Sequence, residues 1–106
     1  MVVAEVTALA FVEDAEALLR EIAAETHQHG DKHLLINLLD VVGTLTPAQH
    51  QYFGQLAARH LSHLDKVASL VPEEKVTRIS EREAQIRGTR LRVFHSLADA
   101  MAWLTE

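Results

Sequence analysis

The sequence predicts a single α/β domain, residues 1–106, on a mainly parallel sheet, and three observations carry that expectation. Short continuous apolar runs such as "HLLINLLDV" and "KVASLV" alternate with longer stretches in which apolar residues recur every three to four positions. This strand-then-helix order repeats four times without a low-complexity linker, which calls for parallel strands, right-handed crossovers and a four-turn β-α superhelix. A chain of 106 residues holds one core and not two.

The first strand is placed at about residues 3–9, within the β-branched "VVAEVTALAFV". Phe11, Ala15, Leu18, Leu19, Ile22 and Ala23 then share one side of a 3.6-residue period, while Glu13, Glu16, Arg20 and Glu25 fall elsewhere. This is an amphipathic helix ending near Gly30. "HLLINLLDV" follows as a strand covered on both faces. At "TLTPAQ" three helix-start signals coincide: Thr46 can accept a hydrogen bond from a free amide, Pro47 suits the first helical position, and Gln49 completes a capping box. Tyr52, Phe53, Leu56, Ala57, Leu61 and Leu64 continue that helix's apolar side, and "KVASLV" is a strand stopped by Pro72. The charged "EEKVTRISEREAQIRG" reads as one helix with Val76, Ile79, Glu83 and Ile86 at helical spacing and Gly88 as its terminator. "RLRVFH" alternates as a strand does, and Ser96 with Asp99 starts a last helix whose stripe is Leu97, Ala100, Met101 and Leu104.

The net charge of −5 is spread without a block of either sign, so neither nucleic acid nor an anionic membrane is an expected partner. Without cysteine there is no disulfide, thiolate zinc site or cysteine nucleophile. The first residues lack a basic n-region and a cleavage site, and acidic residues interrupt every apolar run before about 20 residues, so a soluble, cytoplasmic protein with no transmembrane segment is expected.

The layout "LLINLLDVVGTLTP…KVASLVP…ISEREAQIRGTRLRVFHSLADAMAWL" resembles the small bacterial SpoIIAA-like proteins of the STAS group, those of sulfate transporters and anti-sigma antagonists, over roughly residues 12–105. Its most specific part is the ending, a strand closing on Val93 and Phe94, a capped turn, and a helix ending in Ala102, Trp103 and Leu104. The resemblance implies a non-enzymatic interaction domain, often a homodimer, and in many members no assigned biochemical role. It also implies a regulatory position where a strand gives way to a helix, occupied in the best understood members by the serine of an Asp-Ser-Ser-Gly motif. That position falls on "TLTPAQ", where the motif is missing and Thr44 and Thr46 are the nearby hydroxyls. A phosphate on Thr46 would meet the helix N-terminal dipole but displace the capping hydroxyl. Some members are grouped with SEC14-like lipid binders, so a small hydrophobic-ligand carrier is an alternative.

Ligands and partners of parallel sheets gather at the carboxyl ends of the strands, which makes Asn37, Asp40, Thr44 and Thr46 the candidate binding residues. A hydrogen-bonded turn is the competing role for them. The seven histidines offer a metal-assisted enzyme as a further alternative. Yet "HQHGDKH", with His27, His29 and His33, matches no recognised ligand spacing, His27 and His29 suit a solvated helix end, and His60, three residues from His63, suits packing. No metal site or cofactor is expected. There is no G-x-S-x-G elbow and no glycine-rich phosphate loop, so no catalytic residue is assigned. With 48% hydrophobic residues in so short a chain, surplus apolar surface is expected to form a homodimer, with Phe94, Met101 and Trp103 as contacts.

Overall fold

The computed structural model describes residues 2–5, 15–39 and 46–106. Its elements are β1 (Val2–Glu5), α1 (Ala15–His29), β2 (His33–Asn37), α2 (Pro47–Leu61), β3 (Lys66–Leu70), a 3-10 turn (Glu73–Lys75), α3 (Ile79–Ile86), β4 (Leu91–Phe94) and α4 (Leu97–Leu104). The strands form one sheet in the order β1-β2-β3-β4, every pair parallel, with Leu35 opposite Val3 and Ala68, and Ser69 opposite Ile36 and Val93.

A strand order that follows the chain, with crossovers of one hand, puts the connecting helices on one face. The period-2 alternation of the strands then decides which residues meet them. Leu34, Ile36, Val67 and Leu91 pack against Leu19 and Ile22 of α1, Phe53, Leu56 and Leu61 of α2, and Ala84 of α3. The intervening residues Leu35, Ala68 and Leu70 point the other way, where, among the described residues, α4 supplies Ala100, Trp103 and Leu104. Every residue of β3 is buried, Lys66 included. Its ammonium donates to the Trp103 carbonyl at 2.8 Å, in the last turn of α4, and lies 5.4 Å from the centre of the Trp103 ring. A buried charge is thereby paired with the negative end of a helix and an aromatic face.

Two of the expected terminators act as such. Gly30 and Gly88 take positive φ of 66° and 93°. Asp31 N bonds Thr26 O beside Gly30 N to His27 O, and Thr89 N bonds Ala84 O beside Gly88 N to Gln85 O, the paired bonds of a Schellman end.

Three boundaries differ from the sequence reading. The first strand is described over Val2–Glu5, and both its expected end near residue 9 and the start placed at Phe11 for the first helix lie outside the described residues. β2 stops at Asn37, since Asn37 folds into a turn, and α2 stops at Leu61, before Leu64. The largest correction is α3, which begins at Ile79 and not at Glu73. After Pro72 the chain makes one 3-10 turn, Val76 is extended (φ −66°, ψ 127°), and the Thr77 hydroxyl accepts from Ile79 N to start the helix. Its buried face is also different. Ile86 is 74% exposed and Ile79 is exposed, while Ser80 and Ala84 are buried.

Small residues face inward on α3 because α2 comes very close. A Cβ placed on Gly54 would sit 2.6 Å from the Ser80 carbonyl oxygen and 2.8 Å from Glu83 Cβ, distances that real side chains do not tolerate. The glycine and the small face of α3 are thus one device. On its other side α3 closes the free edge of the sheet. The Glu81 carboxylate accepts from Val93 N (3.1 Å) and from Arg78 Nη1 (2.8 Å), Arg78 Nη1 donates to Val93 O (2.9 Å), and Gln85 Nε2 donates to Leu91 O (3.3 Å). The outward backbone groups of β4 are occupied by side chains, which blunts its capacity to pair with another strand.

Candidate functional site

Of the expected site residues, Asn37 stands at the carboxyl end of β2 and Thr46 at the start of α2. Asn37 ends β2 with its Oδ1 accepting from Leu39 N at 3.0 Å, a turn that uses the side chain locally. Thr46 is exposed and extended (φ −71°, ψ 162°); its hydroxyl accepts from Gln49 N at 3.1 Å, and Gln49 Oε1 accepts from Thr46 N at 2.8 Å. This is the reciprocal capping box read from "TLTPAQ", with Pro47 opening the helix. Asp40 and Thr44 lie outside the described residues. Since the Thr46 oxygen caps α2, Thr46→Ala is expected to cost about 1 kcal/mol in urea unfolding, with Thr46→Ser nearly neutral. Equal losses in the two variants would contradict the cap.

Directly after the cap, α2 and α3 leave an open groove of about 370 Å³ lined by Pro47, Ala48, Gln51, Ile79, Arg82 and Glu83. It exists because Gly54 draws the two helices together one turn further along. Tyr52, 49% exposed, stands four residues from Ala48 and so on the same helix face, and Leu39 is also exposed. Glu83 is held below the usual carboxylate range by the hydrogen bond from Arg87, which outweighs the opposing effect of burial, with further help from Gln55. The groove thus has Pro47, Ala48 and Ile79 as apolar lining, with Arg82 and the Arg87-paired Glu83 carboxylate also on its walls. It can hold a partner's apolar side chain and orient polar groups around it.

The expected contacts of a second copy sit elsewhere. Trp103 is 7% exposed and packs against Phe94 (ring centres 5.7 Å, tilted 43°), while Phe94 and Met101 are half-buried against the same cluster. Most of their surface is used within the chain.

At the opposite end of the sheet the helices bring two histidines into contact that spacing alone did not pair. The rings of His27, in the last turn of α1, and His63, just past α2, stack 3.6 Å apart at 19°. His63 Nε2 lies 2.8 Å from the hydroxyl of buried Thr26, which donates to Ala23 O. His60 is half-buried, and its Nε2 is enclosed without a hydrogen-bond partner. Among the described residues no three His, Asp or Glu side chains are placed to hold a metal.

His63 is lowered from its ordinary value of 6.5 by burial first, then by the charges of His27 and Lys32, against a raising hydrogen bond at His60; His50 is lowered by burial. The unfolded chain therefore binds more protons than the folded one as pH falls below 6.5, so the stability these groups contribute is complete above that pH and is lost on acidification. The urea midpoint is expected to fall across this range, and less steeply in His63→Gln. A slope unchanged in that variant would remove His63 from the account.

No helix among the described residues is long and apolar enough to cross a membrane. No curated protein and no solved structure matches the chain. The family model described as SpoIIAA-like matches residues 1–105, taking in the N-terminal strand that lies before the segment of resemblance at 12–105. With its parallel sheet, its capped strand-to-helix junction and a family match across almost its whole length, the chain belongs to the SpoIIAA-like family of the STAS group.

Proposed function

We propose that this protein is a non-enzymatic cytoplasmic interaction module that binds a protein partner across the start of α2 and the α2–α3 groove. The observation that carries the reading is the groove itself: it opens immediately beside the helix cap, and exposed Tyr52 and Ile79 lie on these same helices. Apolar side chains exposed beside a polar helix start suit a protein interface. Membership of the SpoIIAA-like family supports the same class of role. The phosphoserine motif is missing, so binding here does not depend on that serine; the exposed Thr46 hydroxyl is committed to its cap. A lipid-like cargo would call for an enclosed apolar cavity, whereas this groove is open and has charged walls.

The test is comparative capture from the cells of origin, using wild type, the groove variants Ala48→Arg and Ile79→Glu, and Ala24→Glu on the exposed side of α1. A partner retained by wild type and Ala24→Glu and lost by both groove variants, with unchanged circular dichroism, is the expected result. The same partners in all four samples would reject the groove as the binding surface.

A further inference from the structure

The other sheet face carries a second open cleft, of about 400 Å³, between β4 and α4, with Arg78, Arg92, Phe94, His95, Asp99 and Trp103 among its walls. Its volume is in the range of small-molecule sites. Arg92 is its distinctive feature. The guanidinium carbon lies 5.3 Å from the centre of the Phe94 ring and 5.5 Å from that of Trp103, so two aromatic faces fix its position. Among the described residues its donors form no hydrogen bond and no salt bridge. Arg78 differs, since its Nη1 is engaged by Glu81 and the Val93 carbonyl.

A planar guanidinium held against rings with its N–H edge unfilled is prepared for a planar oxyanion, because the orienting cost is met before the ligand arrives. The charge of that oxyanion is bounded by the same walls. Asp99 and Glu106 also line the cleft without pairing with Arg92, and they repel multiply charged anions while leaving room for a single carboxylate. Exposed Ala102 and half-buried Phe94 supply apolar surface beside it. We propose that this cleft binds a small aromatic monocarboxylate, with Arg92 gripping the carboxylate and the ligand's ring lying along Ala102 and Phe94. The site is distinct from the α2–α3 groove and adds small-molecule recognition to an interaction domain.

Trp103 is the sole tryptophan of the sequence, so its fluorescence reports the cleft directly. Phenylacetate titrated into the protein is expected to give a saturable change, and benzyl alcohol, which has the ring without the charge, none. Loss of a charge-assisted pair should weaken phenylacetate by about tenfold or more in Arg92→Gln. Ala102→Glu, at an exposed helix position, should weaken it similarly by repulsion, and it decides the matter if Arg92→Gln fails to fold. Absence of a saturable response in the wild type, an equal response to benzyl alcohol, or undiminished affinity in Ala102→Glu would overturn the proposal.

Discussion

Gly54→Val is expected to destabilise the domain by about 3 kcal/mol, the upper range for overpacking a rigid contact. The added side chain would begin 2.6 Å from a backbone oxygen of α3 and 2.8 Å from Glu83 Cβ. Backbone cannot rotate away as a flexible side chain can, so α3 must withdraw from α2. Withdrawal would also strain the bonds by which Glu81, Arg78 and Gln85 close the β4 edge. Gly54→Ala separates the two contributions: alanine favours a helix by about 1 kcal/mol over glycine, and yet the variant should still lose stability. Urea unfolding of both variants measures this. A stabilised Gly54→Ala would show that the close approach of the helices is not needed.

Trp103→Ala should cost about 3–5 kcal/mol, as for other buried aromatic truncations. Among the described residues the Trp103 side chain is the largest in the core cluster on the α4 face, which it forms with Leu35, Ala68 and Leu70. Removing it also deprives Phe94 of its ring contact and Arg92 and Lys66 of an aromatic face. Trp103→Phe, which keeps a ring in the cluster, should recover most of the loss. Sedimentation velocity alongside urea unfolding distinguishes this role from that of a dimer anchor: an anchor would change the sedimentation coefficient while leaving monomer stability near that of the wild type.

Much of the fold was legible because its signals were local. The apolar runs of β2 and β3, the Thr46, Pro47 and Gln49 cap, and the glycines after α1 and α3 each state their role within a few residues. The start of α3 differs from the sequence reading because charged residues with apolar spacing after Pro72 look helical, while the chain there makes a 3-10 turn, an extended Val76 and a Thr77 turn bonded to Ile79 N. Its buried face was misread for a different reason. Periodicity rewards large apolar residues, whereas a close helix contact rewards small ones, so Ser80 and Ala84 are inside and Ile86 is not. A glycine in the middle of the otherwise strong helix "AQHQYFGQLAARHL" was the available signal for that contact.

The candidate site was less legible, since its parts are distant in sequence. Thr46 and Asn37 were identified from their own neighbourhoods, and the structure gives both local hydrogen bonds. The groove needed Pro47 and Ala48 to meet Ile79 and Arg82, and the His27 and His63 stack needed two helix ends to converge. Arg92 is one charge of an alternating strand in the sequence, and only the fold sets it against Phe94 and Trp103. Such pairings are products of topology, which spacing along the chain does not encode.

The central claim, that a protein partner docks on the α2–α3 groove, is tested most directly by site-specific photo-crosslinking in the cells of origin. A benzophenone amino acid replacing Ala48 is placed at the groove, and one replacing Ala24 stands on the exposed side of α1 as its reference. The account predicts a discrete cross-linked product from position 48 that is absent from position 24 and diminished by Ile79→Glu. Identical products from the two positions, or none from position 48, would contradict it.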